Sequence, residues 1–85
     1  MNHYRVDADK LMGLFVMLHQ GNKSTKDMAD TLQVSMRTIS RLINVLEDIF
    51  DVRVEWEWTE GRKKVIYHIT DYGVFDKSVL DIVLK

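Results

Sequence analysis

Arg37 and Arg41 stand one helical turn apart in the stretch SMRTISRLINVL, so on a helix both guanidinium groups leave from the same side. A guanidinium presents a planar fork of donors that fits the edge of guanine, at roughly 1–3 kcal/mol of discrimination per well-placed pair. Met36, Ser40 and Asn44 fall largely on that side too. A helix face carrying Arg, Ser and Asn holds donors and acceptors suited to phosphates and base edges. A second basic group, Arg62, Lys63 and Lys64, stands unopposed in residues 61–65 and suits a phosphate backbone.

Other chemistries lack their residues. There is no cysteine, which removes disulfides, thiolate metal sites and a thiol nucleophile. His3, His19 and His68 are scattered, with no second ligand at metal spacing, so no metal site is expected. No nucleophile, base and orienting acid can be assembled, and no glycine-rich phosphate loop is present. Neither an enzyme nor a cofactor is expected.

The elements that must position the basic residues follow from periodicity. Asp7 is placed to cap a helix running to about Gln20, with Leu11, Leu14, Phe15 and Leu18 on one face and Met12, Val16 and Met17 widening it. Gly21 and Asn22 end it, since both tolerate positive φ. Ser24 caps a second helix, where Asp27 favours the positive end of the dipole, Met28 and Leu32 share a face, and Ala29 permits close approach. Leu32, Gln33 and Val34 break the period. Ser35 then opens a longer helix over residues 35–49, with Ile39, Leu42, Ile43 and Leu46 facing inward.

Beyond that helix the period changes to two. Val52, Val54, Trp56 and Trp58 alternate with Arg53, Glu55 and Glu57, and a second strand is expected from Lys63 to Ile69. Pairing Trp58 with Lys63 sets Trp56 against Val65, Val54 against Tyr67 and Val52 against Ile69, and places Glu57 opposite Lys64. The tryptophans are assigned to the core. As a stacking platform for bases they would have Glu55 and Glu57 as repulsive neighbours.

Residues 1–6 read as an extended start, and residues 70–75 as a connecting loop. Asp76 can cap a last short helix, KSVLDIVLK, whose branched residues also permit a strand.

With 85 residues the chain is one domain, residues 1–85, near the lower size limit for a self-sufficient core. The net charge of -1 conceals a polarised distribution. Residues 21–46 carry a net +2, residues 47–60 a net -5, and residues 61–65 a net +3. The run from Leu11 to Leu18 is too short to span a bilayer, and Asp7 and Asp9 argue against a signal peptide, so a cytoplasmic protein without membrane contact is expected.

Three helices, a two-stranded hairpin and a short C-terminal helix give an α+β, mostly α, chain in the order of a winged helix-turn-helix domain. The stretch LQVSMRTISRLINVL also resembles the second half of the DeoR-type helix-turn-helix through Val34, Ser35, Arg37, Thr38, Arg41, Ile43 and Leu46. The later stretch YHITDYGVF is similar to the end of the wing in YafY-like regulators, and the likeness spans roughly residues 8–75.

The resemblance implies that the helix from Ser35 enters the DNA major groove while the wing, residues 52–69, touches flanking backbone or minor groove. Ser35 and Thr38 would bind phosphate, and Met36, Arg37, Ser40 and Arg41 would read bases. Lys23, Thr25, Asn44, Arg62, Lys63 and Lys64 complete the candidate DNA-binding set. The sequence departs from the family at Leu42, where an acidic residue is usual, which suggests that the C-terminal segment or a partner covers this side. It departs also at Gln33, where glycine is common.

The expected function is sequence-dependent binding of double-stranded DNA by a small prokaryotic, plasmid or phage transcription regulator. Residues 70–85 are the expected homodimer element, and no small-molecule ligand is inferred. The alternative is a winged-helix protein-interaction module that works through its acidic residues 47–60.

Overall fold

The computed structural model describes residues 7–78 and residue 80. Three helices are followed by an antiparallel pair of strands in a small α+β domain with more helix than strand. The extended start expected over residues 1–6, and the segment 81–85 with residue 79, lie outside the described residues.

Each helix begins where a side chain can take up its first free amides. In α1 (Ala8–Gln20) the Asp7 carboxylate accepts the N–H groups of Asp9 at 2.9 Å and Lys10 at 3.3 Å. Gly21 ends the helix with φ 78. Its buried face is Leu14, Phe15, Met17 and Leu18. Met12, expected to widen that face, is instead 57% exposed on the solvent side.

Helix α2 (Thr25–Leu32) opens with a reciprocal capping box. The Ser24 hydroxyl accepts the Asp27 N–H at 3.1 Å, and the Asp27 carboxylate accepts the Ser24 N–H at 3.0 Å. Its far end closes with Gln33 at φ 58, where the Gln33 N–H donates to the Asp30 carbonyl and the Val34 N–H to the Ala29 carbonyl. This pair of bonds is a Schellman closure, usually built on glycine. Helix α3 (Met36–Phe50) is capped by Ser35, which accepts the Thr38 N–H at 3.1 Å.

The three helices meet around Leu14, Leu18, Met28, Ile39 and Leu46, all essentially inaccessible to water. Close approach is possible because Gly13 faces Leu32: a Cβ at Gly13 would lie 2.8 Å from the Leu32 Cδ2. Leu42 is also in this core, 6% exposed, so its departure from the family pattern needs no partner chain to cover it.

Strands β1 (Arg53–Trp58) and β2 (Val65–Asp71) pair with a register shifted by two from the sequence expectation. Trp58 faces Val65, Trp56 faces Tyr67 and Val54 faces Ile69. The cause is a longer turn. The Thr59 N–H donates to the Lys64 carbonyl at 2.8 Å, enclosing a short 3-10 turn at Glu60–Arg62 with Gly61 at φ 79 and Arg62 at φ 53. Glu57 therefore faces Ile66 rather than Lys64. β2 also takes Thr70 and Asp71 from the expected loop.

The hairpin and the chain that follows it are fastened to the helices at several places. The Tyr67 N–H donates to the Lys23 carbonyl at 2.9 Å, making a one-residue antiparallel rung between the α1–α2 connection and β2. The chain after β2 folds back, with Phe75 stacked at a tilt 4.6 Å from Phe15 and 5.5 Å from Phe50. The Tyr72 hydroxyl lies 2.7 Å from His19 Nδ1. Asp76 then caps a helical turn through the Ser78 N–H, and Leu80 packs on the core. The described part of the 70–85 extension thus completes the core of its own chain.

Candidate nucleic-acid interface

The period of α3 divides it cleanly. Ile39, Leu42 and Leu46 are buried, which turns Met36, Arg37, Ser40, Arg41 and Asn44 to solvent, as the spacing requires. The face is exposed along its length and polar apart from Met36. Among the described residues neither Arg37 nor Arg41 takes part in an ion pair, so both guanidinium groups keep their donors for an outside acceptor. Ser35 and Thr38 serve the helix start, their hydroxyls 3.1 Å apart, which leaves one hydroxyl proton to donate to a phosphate.

The other expected contacts divide between two places. Arg62 and Lys63 are exposed in the turn at the end of the hairpin. Lys64 is not at that tip. Its ammonium reaches 2.9 Å to the Asp27 carboxylate and joins the hairpin to the first turn of α2. Lys23 holds the strand rung with its carbonyl, and its ammonium donates to the Asn22 side chain at 3.0 Å. Thr25, the first residue of α2, is half-buried beside the Lys64–Asp27 pair. Positive charge from separate segments converges here, and Lys26 joins it, although Asp27 and Asp30 offset part of that charge.

Asp27 is held well below the usual carboxylate range, from 3.8 to about 2. The largest cause is the hydrogen bond from the Ser24 N–H, followed by the one from the Lys64 ammonium. Lys26 is raised by its hydrogen bond to Asp30, but both side chains are largely in water, so this pair opens easily.

The tryptophans correct the sequence reading. Trp56 is 56% exposed and Trp58 is 51% exposed, so this part of the hairpin's apolar face is left largely uncovered. Their rings meet edge to face with centroids 6.4 Å apart. With Tyr67 and the start of α2 they border an open groove of about 570 Å³. Lys26, Asp27, Val65 and Tyr67 were not singled out by sequence as part of any site.

The acidic residues 47–60 are spread over different surfaces. The Glu55 carboxylate accepts the Thr70 hydroxyl at 3.2 Å, and Glu57 lies 4.0 Å from His68, both on the face of the hairpin opposite the tryptophans. Glu47 turns back toward the Val54 N–H. Among the described residues no group of His, Asp or Glu is arranged to hold a metal ion, and no helix is long and apolar enough to cross a membrane.

Compared with known protein families, with curated proteins and with solved structures, the chain matches none.

Proposed function

We propose that this chain is a winged helix-turn-helix protein of DeoR-type, YafY-like character that binds double-stranded DNA in a sequence-dependent way and regulates transcription in the cytoplasm. The observation that carries the reading is the outward face of α3, where Arg37 and Arg41 are exposed one turn apart and outside any ion pair among the described residues. α3 is the recognition helix in the major groove, read through Met36, Arg37, Ser40 and Arg41, with Asn44 a turn deeper. The hairpin is the wing. Arg62 and Lys63 meet flanking phosphates, and Lys23 and Thr25 flank the backbone at the start of α2.

Labelled duplexes from DNA beside the protein's own coding sequence, titrated against shuffled duplexes, test this reading. Preferential binding that weakens steeply with salt is expected. Combining Arg37→Ala with Arg41→Ala removes two base contacts and lowers affinity on the order of 100-fold. A double variant that binds as tightly as wild type removes α3 as the recognition helix. The competing module working through its acidic residues predicts no duplex binding at any salt concentration.

Dimerisation through the C-terminal segment belongs to the same proposal, since two half-sites multiply the specificity of so small a module. Sedimentation should show a dimer that truncation after Phe75 converts to monomer. An unchanged mass excludes the segment as the interface.

A further inference from the structure

We propose that the groove between the hairpin and the start of α2 binds unpaired nucleotides of single-stranded nucleic acid, with a base stacked on Trp56 or Trp58 and the adjoining phosphates on Lys26 and the neighbouring Arg62 and Lys63. The groove contains no residue of α3, although it shares Thr25 and the Arg62–Lys63 turn with the proposed duplex surface, and the inference stands without the duplex reading.

Two tryptophans half in water form an apolar surface that gains by being covered. Aromatic rings are sequence-tolerant platforms for bases, because every base has a flat π-face. The edge-to-face arrangement leaves one ring presenting its face beside the edge of the other. The groove is open to solvent along its length, which suits an extended strand rather than an enclosed small ligand.

Charge favours a polyanion over a second copy of the chain. Lys26 and Lys64 line the groove, and Arg62 and Lys63 precede Lys64 in the exposed turn. The acid that lines it, Asp27, is already occupied by the Ser24 N–H and the Lys64 ammonium. Lys26 is held only by a water-exposed pair with Asp30, which yields to a phosphate at little cost. Glu55 and Glu57, whose sequence positions argue for repulsion, instead share the far face of the strand with Thr70 and His68. The serine and threonine at the start of α2 add hydroxyls suited to sugar and phosphate oxygens.

The chain contains only these two tryptophans, so its tryptophan emission reports on this groove alone. The full chain is titrated with oligodeoxythymidine of roughly 4–16 nucleotides, the span of known single-strand sites. Saturable quenching that weakens with salt is expected, and it persists in the Arg37→Ala, Arg41→Ala double variant. Trp56→Ala and Trp58→Ala each weaken binding about 10-fold, while Trp58→Phe keeps most of it. Absence of quenching overturns the proposal, as does unchanged affinity in both alanine variants. Loss of oligonucleotide binding in the double arginine variant assigns the strand to α3 and overturns it equally. Emission that shifts with protein concentration alone, with matching self-association in sedimentation, shows that a second copy covers the groove and refutes it too. Failure of wild type to bind any duplex leaves these outcomes intact, so the two proposals fail separately.

Discussion

The ammonium of Lys64 sits 2.9 Å from the carboxylate of Asp27, joining residues 37 positions apart. The same carboxylate accepts the Ser24 N–H, so one side chain both starts α2 and anchors the hairpin. Its folded pKa of about 2 lies below its ordinary 3.8. A depressed carboxylate stabilises the fold above the unfolded value and loses that contribution as pH falls through the folded one. Stability should therefore decline between about pH 4 and pH 2, and Asp27→Asn should flatten that decline. At neutral pH the substitution should cost about 1 kcal/mol, typical of a lost capping contact. Urea denaturation of both proteins across this pH range checks the expectation.

Specific and non-specific binding should separate by residue. Arg41→Ala should cost roughly 1–3 kcal/mol on the preferred duplex and relax sequence preference. Lys63→Ala should weaken every duplex alike and reduce the logarithmic salt slope by about 1. Fluorescence anisotropy at several salt concentrations distinguishes the two patterns.

Gln33 holds a left-handed conformation at φ 58 in the closure of α2. That conformation costs a side-chain-bearing residue about 1–2 kcal/mol, partly offset for glycine by its greater freedom when unfolded. Gln33→Gly should raise stability by roughly 0.5–1 kcal/mol without changing duplex affinity. Denaturation midpoints measured with anisotropy on the same samples check both halves.

Gly73 has φ 58, and a Cβ there would collide with the Phe50 carbonyl and the Asp51 backbone. Gly73→Ala should destabilise the fold by roughly 3 kcal/mol, combining backbone strain with overpacking. The fold-back of Phe75 onto Phe15 and Phe50 depends on this approach. A thermal midpoint within a degree or two of wild type would contradict this account.

The helices were legible because their signals are local. Asp7, Ser24 and Ser35 each cap a helix within three residues of their own position, and the 3.6-residue period fixes which side of α3 faces out. The hairpin register was not legible, for a reason specific to strands. A slip of two residues returns every side chain to the same face, so alternation leaves the register open, and the apparent Glu57–Lys64 charge pair favoured Trp58–Lys63 although the Lys64 ammonium goes to Asp27 instead. Alternation also tells which side of a strand is apolar but not how far the core extends beneath it. Trp56 and Trp58 follow the pattern and are still half exposed, while Val52 on the same chain segment is buried. The ion pair of Lys64 with Asp27 depends on that register and on the Lys23–Tyr67 rung, and neither is encoded near either residue.

The turn from Thr59 to Lys64 closes on itself, with its own backbone and hydroxyl hydrogen bonds. Residues can therefore enter or leave this end of the hairpin in pairs without turning a side chain over or disturbing Leu14, Met28 or Ile39. The Lys64 ammonium, tied to Asp27 at the start of α2, sets the point beyond which the arm can change length while the packing of its base stays as it is.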